Sequence, residues 1–144
     1  MAPLCAKYQI PVCLMHNRKK AVYNDFIADV IADMKECVQI AHASGLADAK
    51  IILDPGIGFA KTTEEHLKFM NHLEDLVALG YPVLLGTSRK SMIGNTLNLP
   101  VDEREEGTMA TSVLGLVKGC SFFRVHDVKK NVRALAMTDA MLKA

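Results

Sequence analysis

The stretch Ile51-Ile-Leu-Asp-Pro-Gly-Ile-Gly-Phe-Ala-Lys-Thr-Thr63 decides the fold of this chain. Its first three residues are apolar and two of them are β-branched, which predicts a fully buried strand. A Pro-Gly pair ends that strand directly after Asp54, and the glycines allow positive φ and close approach of a ligand to the backbone. Thr62 or Thr63 lies where the N-cap of a following helix belongs. A carboxylate is therefore expected at the C-terminal tip of a buried strand, the edge at which parallel α/β folds bind ligands.

Composition limits the classes of partner. The 144 residues are half hydrophobic, enough for one domain with a core. Lys and Arg number 17 against 16 Asp and Glu, so the net charge of +1 indicates neither a nucleic acid nor a membrane surface as main partner. Tryptophan is absent, which also disfavours a surface for stacking bases. No apolar run approaches the roughly 18 residues that a transmembrane helix needs.

The four cysteines carry no metal or disulfide signature. Cys5, Cys13, Cys37 and Cys120 form no CxxC pair and no zinc-finger spacing with histidine. The N-terminus also lacks the basic and apolar regions of a secretion signal. We therefore expect a reducing, cytoplasmic location.

Outward from the central strand, one strand–helix unit repeats four times. Strands are predicted over 11–16, 50–54, 81–88 and 121–127. Helices are predicted from Asn24 or Asp25 to Ser44 and over 63–79, 105–118 and 128–142. A short helix is expected near 92–97, inside the long connection 89–104, and residues 1–9 could be the end of a further helix. Such alternation predicts parallel strands joined by right-handed crossovers. An eight-stranded barrel takes about 250 residues, so the fold class predicted is α/β, about half of a TIM-type barrel.

The tips of the four predicted strands share polar or small character. In order they are Met15-His16, Asp54, Gly86-Thr-Ser-Arg-Lys-Ser91 and Arg124-Val-His-Asp127. Parallel strands place these tips at one rim. Arg124 and His126 are two residues apart, so they are expected on one side of their strand, with Val125 and Asp127 on the other. Two neighbouring donors of this kind favour binding of an anion. The alternative is that Arg124 and His126 form a structural pair with a carboxylate.

The remaining rim residues each have a functional and a plain interpretation. Asp54 could accept two parallel N–H bonds from a flat heterocycle, or be a turn residue only. Lys90 could place a point charge on a carbonyl or ring nitrogen, or be a solvated loop lysine. His16 is interpreted first as a satisfied strand-end histidine, and the basic run 18–20 as a solvated loop. Several polar groups of different chemical types gathered at one rim favour a ligand site.

Five segments, in order along the chain, carry a family resemblance. They are Leu14-Met-His16, Asp54-Pro-Gly-Ile-Gly-Phe-Ala-Lys-Thr62, Gly86-Thr-Ser-Arg-Lys-Ser91, Glu103-Arg104 with Gly107-Thr108, and Arg124-Val-His-Asp-Val128. In them the chain resembles dihydropteroate synthase. The Ser-Arg-Lys-Ser and Arg-Val-His-Asp-Val pair is specific, whereas Asp-Pro-Gly alone would be weak. That family is a TIM barrel, and residues 1–144 resemble its C-terminal half, strands five to eight.

The resemblance implies a pterin site. Asp54 would hold the 2-amino and ring N–H groups of the pterin, and Lys90 would reach its carbonyl side. Gly86 would let the ring approach the backbone, and Met15 would line the pocket. Arg124 would cover the face of the pterin.

The resemblance also implies the second substrate and the reaction. His126 would bind the leaving diphosphate with Arg124, while Phe59 and Ser91 would contact p-aminobenzoate. Lys90, Arg124 and His126 would be the catalytic residues, acting by positioning and anion stabilisation, since no covalent nucleophile is needed. Mg²⁺ would accompany the diphosphate, its protein ligand lying in the first half of the family's barrel, which has no counterpart here.

Other expectations concern the chain by itself. Asn17-Arg-Lys-Lys20 departs from the Met/Gly/Pro-containing loop of many family members. A half barrel, whether a fragment or a short form, is expected to turn over little and to self-associate through its open edges, for example as a dimer. The alternatives are a pterin-dependent methyltransferase domain and a non-catalytic pterin-binding or assembly module.

Overall fold

The computed structural model describes residues 1–144 as four parallel strands alternating with helices. The strands are β1 Val12–Met15, β2 Ile51–Asp54, β3 Leu84–Leu85 and β4 Phe122–Phe123. The helices are α1 Ala2–Tyr8, α2 Phe26–Ala43, α3 Thr63–Asn71, α4 Leu73–Val77, α5 Ser91–Leu97, α6 Glu105–Val117 and α7 Val128–Leu142, with 3₁₀ turns at Asp48–Lys50 and Val101–Glu103.

The spatial order of the strands follows the chain. β1 pairs with β2 in parallel, with Met15 opposite Asp54, and β3 pairs with β4 in parallel. A parallel bridge between Leu53 and Val83 joins β2 to β3. Consecutive parallel strands with helices between them are the arrangement of a TIM-type barrel, and four βα units make about half of one. The predicted fold class is confirmed.

The third and fourth strands are shorter than predicted. Ladder pairing covers residues 84–85 and 122–123 instead of 81–88 and 121–127. β4 has a partner on one side only, so no second neighbour extends its ladder. The chain instead bends out through Arg124 towards Asp127, whose carboxylate accepts the backbone N–H of Lys130 and caps α7.

The single helix predicted over 63–79 is wrong, because the structure has two helices. His72 interrupts them with φ −119° and ψ 23°, and its N–H donates to the carbonyl of Phe69 at 2.9 Å. The bend lets Phe69 in α3 and Leu73 in α4 both be fully buried. The N-cap of α3 is Thr62, which exchanges two hydrogen bonds with Glu65 in a capping box.

The core lies between the sheet and the helices, while the concave face of the sheet is open. Alternate strand residues such as Ile51 and Leu53 are 0–1% exposed on the helix side. On the other side Cys13 is exposed and Phe122 is 47% exposed. In a complete barrel this concave face would be enclosed. No helix in the structure has the length and apolarity needed to cross a bilayer.

Candidate active site

Asp54 is the last residue of β2 and is 3% exposed. Its Oδ1 accepts the N–H of Gly56 at 2.8 Å, and its Oδ2 lies 3.8 Å from Nη2 of Arg124. A buried carboxylate needs such partners because it has lost its hydration. Asp54 therefore does more than shape a turn: it lies at the same rim as the arginine that follows β4.

Gly86 makes room for that arginine. A Cβ placed on Gly86 would lie 2.8 Å from Nη2 and 3.2 Å from Nε of Arg124, so the guanidinium crosses the backbone at the tip of β3. The resemblance assigned this space to a pterin ring. In this structure the Arg124 side chain, which is 62% exposed, lies against Gly86.

Lys90 packs against the loop that follows β2. Its Nζ donates to the carbonyl of Ile57 and lies 4.8 Å from the centroid of the Phe59 ring. Gly58, at φ +91°, allows this approach because a Cβ there would lie 2.8 Å from Cδ of Lys90. Burial lowers the pKa of Lys90, with the charge of Arg124 adding to the effect and Asp54 opposing it. Lys90 is therefore a positioned ammonium in contact with the β2–α3 loop.

His126 is oriented by Ser88, a residue that the sequence analysis did not single out. The hydroxyl of Ser88 accepts the backbone N–H of His126 at 3.1 Å and lies 2.8 Å from its Nδ1. These two contacts fix the orientation of the His126 ring relative to the segment that follows β3. The Ser-Arg-Lys-Ser motif was the available sequence signal for Ser88.

Side chains that follow β3 and β4 line one polar cavity of about 180 Å³, and Asp54 lies next to it through its contact with Arg124. Its lining residues are Gly86, Ser88, Lys90, Arg124, Val125 and His126. The structure thus brings Arg124 and His126 together as predicted, but the predicted alternation is wrong: β4 ends at Phe123, and Val125 lines the same cavity. The bend after β4, not strand geometry, places both donors. A larger groove of about 660 Å³ beside α2 and α4 is lined mostly by apolar residues.

The loop before α5 is held in a strained conformation. Arg89 has φ 58°, a left-handed value that non-glycine residues adopt rarely. Its N–H donates to Oγ1 of Thr108 at 3.1 Å, and its carbonyl accepts from Nη1 of Arg104 at 3.0 Å. The Glu103-Arg104 and Gly107-Thr108 segments therefore fix the backbone that presents Ser88 and Lys90.

Three predicted contact residues lie at the margin of the site. Met15 is half-buried and pairs with Asp54 across the β1–β2 ladder. Ser91 is the first residue of α5, is exposed and does not line the cavity. Phe59 reaches the site only through Lys90 and is 40% exposed.

The first loop differs from its predicted description. Arg18 is not simply solvated, because Nε and Nη2 donate to the carboxylate of Asp33 at 2.6 and 3.0 Å. His16 is 2% exposed and bonds both to Asp33 and to Lys61, which agrees with a satisfied strand-end histidine. Neither Asp33 nor Lys61 was singled out from the sequence.

At the strand tips of this half barrel, an ammonium and a guanidinium–imidazole pair line one cavity, and a carboxylate lies next to the guanidinium. These features define a class: a ligand-binding portion of a TIM-type α/β barrel. Comparison with known families makes this specific. The model of the pterin binding enzyme family matches residues 1–126, and the chain belongs to that family.

Relatives and solved structures agree with this family. The chain is 57% identical to the dihydropteroate synthase of Clostridium beijerinckii and 54% identical to that of Bacillus subtilis, covering 99% of this chain and 54% and 50% of those proteins. It thus spans about half the length of the curated relatives it matches. A Clostridium difficile dihydropteroate synthase crystallised in the presence of pteroic acid matches with TM-score 0.96 and 43% identity, over 100% of this chain and 55% of that one. A Yersinia pestis enzyme with a pterine-sulfa conjugate gives 0.95 and 36%, over 99% and 56%.

Proposed function

We propose that this chain supplies the pterin-binding wall of a dihydropteroate synthase. The reaction joins 6-hydroxymethyl-7,8-dihydropterin diphosphate to p-aminobenzoate, giving 7,8-dihydropteroate and diphosphate for folate biosynthesis. The observation that carries the proposal is the convergence of Asp54, Lys90 and Arg124 at one rim, in a chain of the pterin binding enzyme family.

The free hydrogen-bonding capacity of these groups suits a pterin edge. Oδ1 of Asp54 uses one lone pair on Gly56, and Oδ2 has Arg124 only at 3.8 Å, so both oxygens can accept from adjacent N–H groups of a ring. Lys90 donates one of its three N–H groups to Ile57, leaving two for a carbonyl or ring nitrogen. Met15, opposite Asp54, would supply apolar contact.

The chemistry would be substitution at the methylene carbon of the pterin. Its C–O bond breaks and the electron pair leaves with diphosphate, while the nitrogen of p-aminobenzoate forms the new C–N bond and loses a proton to solvent. The guanidinium of Arg124 and the imidazole of His126 line the same cavity, where both could stabilise a developing anion. Phe59 and Ser91 would contact the arylamine. Catalysis would come from positioning and charge stabilisation, with no covalent intermediate.

The residues present do not fit a protein-bound magnesium ion. No cluster of three or more His, Cys, Asp or Glu side chains could hold a metal. The carboxylate of Asp54 is engaged by Gly56 and faces Arg124, a cation that would repel a metal. We therefore propose that any Mg²⁺ in the reaction would come with the diphosphate.

The open concave face supports the proposal that another protein surface closes the site. Phe122 and Cys13 on that face are exposed, and the relatives are about twice as long as this chain. Closure would come from further barrel units or, for the chain alone, from self-association. We propose a cytoplasmic setting because all four cysteines are unpaired. Turnover by the 144 residues alone should be weak.

The test is calorimetric titration with pteroic acid. Asp54→Asn keeps an acceptor for Gly56 but turns the second oxygen into a donor that faces the N–H groups of the pterin. Losing one hydrogen bond to a charged group costs about 1.5–3 kcal/mol, so Kd should rise about 10- to 150-fold. Asp102→Asn is the matched control, an exposed carboxylate in the Val101–Glu103 turn.

The outcomes separate the alternatives. Failure of the wild-type chain to bind pteroic acid, or equal weakening by both variants, contradicts the proposal. Binding without any turnover when the missing barrel units are supplied favours a non-catalytic module. Methyl transfer from a methylated pterin would favour the methyltransferase.

A further inference from the structure

Two lysines hold the β2–α3 loop, residues 55–62. Lys90 contacts it through the carbonyl of Ile57. Lys61 folds back onto the same loop, and its Nζ lies 3.3 Å from the carbonyl oxygen of Gly56 and 3.2 Å from that of Phe59. The same Nζ is 2.8 Å from Nδ1 of His16.

The donors and acceptors around Lys61 match in number. An ammonium has three N–H groups, and three acceptors surround it. This requires Nδ1 of His16 to be unprotonated, so its Nε2–H donates to Oδ2 of Asp33 at 3.0 Å. The carboxylate of Asp33 in turn accepts two hydrogen bonds from the guanidinium of Arg18. One chain of contacts therefore links the loop after β1 to the loop after β2.

We propose that Lys61 is a positioning residue of the site, whose ammonium fixes the β2–α3 loop and thereby places the Asp54 carboxylate and the Phe59 ring. For its effect on ligand binding this rests on the proposed function; for its effect on the loop it rests on the contacts alone. Lys61 touches none of the residues that line the cavity.

The route from Lys61 to Asp54 runs through Gly56. The carbonyl of Gly56 accepts from Lys61, and its N–H donates to Oδ1 of Asp54. Gly56 has φ +66° and lies against the carbonyl of His16, so no other residue fits. Fixing its carbonyl thus fixes the direction of the N–H that orients the carboxylate. The second held carbonyl belongs to Phe59 itself.

The surroundings of Lys61 make this clamp sensitive to pH. Burial lowers the pKa of Lys61 to about 8, and Lys90 adds to the effect. Asp54 from β2, Asp33 from α2 and Glu65 from α3 oppose it. His16 faces the ammonium directly, and His66 lies under the same loop, with Nε2 accepting the N–H of Gly58 at 3.1 Å. Above about pH 8 the neutral amine keeps two donors for three acceptors.

The experiment compares three variants with the wild type. Lys61→Met keeps the alkyl chain and removes the charge, Lys61→Arg keeps the charge, and Lys68→Met removes an exposed lysine of α3 as the matched control. Two quantities are measured: hydrogen-exchange protection of the Gly56 amide in the free protein, and Kd for pteroic acid from about pH 6 to 9.5.

Lys61→Met should lower protection and raise Kd about tenfold or more, the equivalent of one lost charge-assisted hydrogen bond. It should also abolish a wild-type weakening of affinity above about pH 8. Lys61→Arg should restore both readouts at neutral pH, and Lys68→Met should match the wild type. Unchanged protection and affinity in Lys61→Met overturn the proposal.

Failure of this inference is distinguishable from failure of the proposed function. If no protein binds pteroic acid but Lys61→Met loses protection and Lys61→Arg regains it, the function fails and the role in the loop stands. If Lys61→Met does not fold, the wild type still decides: its Gly56 protection must fall above about pH 8, and a flat profile refutes the clamp.

Discussion

Gly86→Ala isolates the effect of the Arg124 position from the stability of the fold. The φ of Gly86 is outside the left-handed region, so alanine brings no backbone strain. Its Cβ would lie 2.8 Å from Nη2 of Arg124, a contact that the 62% exposed side chain can relieve by swinging away. The free energy of unfolding should change by less than about 1 kcal/mol, because the new methyl displaces only the end of an exposed side chain.

Ligand binding should respond more strongly. A guanidinium over an aromatic face contributes about 0.5–2 kcal/mol, so displacing Arg124 should raise Kd for pteroic acid about 2- to 30-fold. Calorimetry on Gly86→Ala, Arg124→Met and the double variant forms a cycle. Gly86→Ala displaces the guanidinium that Arg124→Met removes. The double variant should therefore bind about as weakly as Arg124→Met.

The cycle also has a refuting result. If Gly86→Ala weakens binding by the same factor with and without Arg124, then Gly86 acts by direct contact with the ring, as the family resemblance implied, and the reasoning from the Arg124 contact is refuted. Cooperative unfolding of each variant, followed by circular dichroism, provides the control.

Three further predictions concern the fold. Gly80→Ala should lower the free energy of unfolding by about 1–2 kcal/mol in urea titration, because φ is +85° with nothing within 4 Å of the new Cβ, so backbone strain alone acts; no loss would refute this. Cys120 should resist a thiol reagent near pH 8 in the native state while Cys13 reacts, because burial raises the pKa of Cys120 to about 12 and Cys13 is exposed; early labelling of Cys120 would contradict the buried placement. Burial lowers the pKa of His66 to about 4, below its unfolded value, so the unfolded chain binds the proton first and stability should fall as pH drops from about 6.5 to 4; His66→Gln should flatten that slope.

Much of the fold follows from local patterns. The strand at Ile51–Asp54 and the cap at Thr62 were predictable because a short apolar run, a Pro-Gly break and a capping box act within a few residues. The helix break at His72 was not, because it serves the packing of two buried side chains on one core and no local signal marks it. The length of β4 depends on its neighbours, which one segment cannot reveal.

The sequence predicted which residues meet at the candidate site better than it predicted how their side chains are held. Asp54, Lys90 and Arg124 were predicted to meet because each lies at or shortly after the end of a strand, and parallel strands align their ends. The orientation of His126 by Ser88 and the clamp by Lys61 were missed, because both depend on side chains that fold back across loops.

The consecutive order of the strands sets when the cavity comes into being. Asp54 emerges first during synthesis, Lys90 next, and Arg124 last, carried by the segment after β4. A pterin that needs all three can recognise only a chain whose final βα unit has docked. By mass action a ligand that needs all three groups would favour correctly assembled molecules over those with a detached last unit.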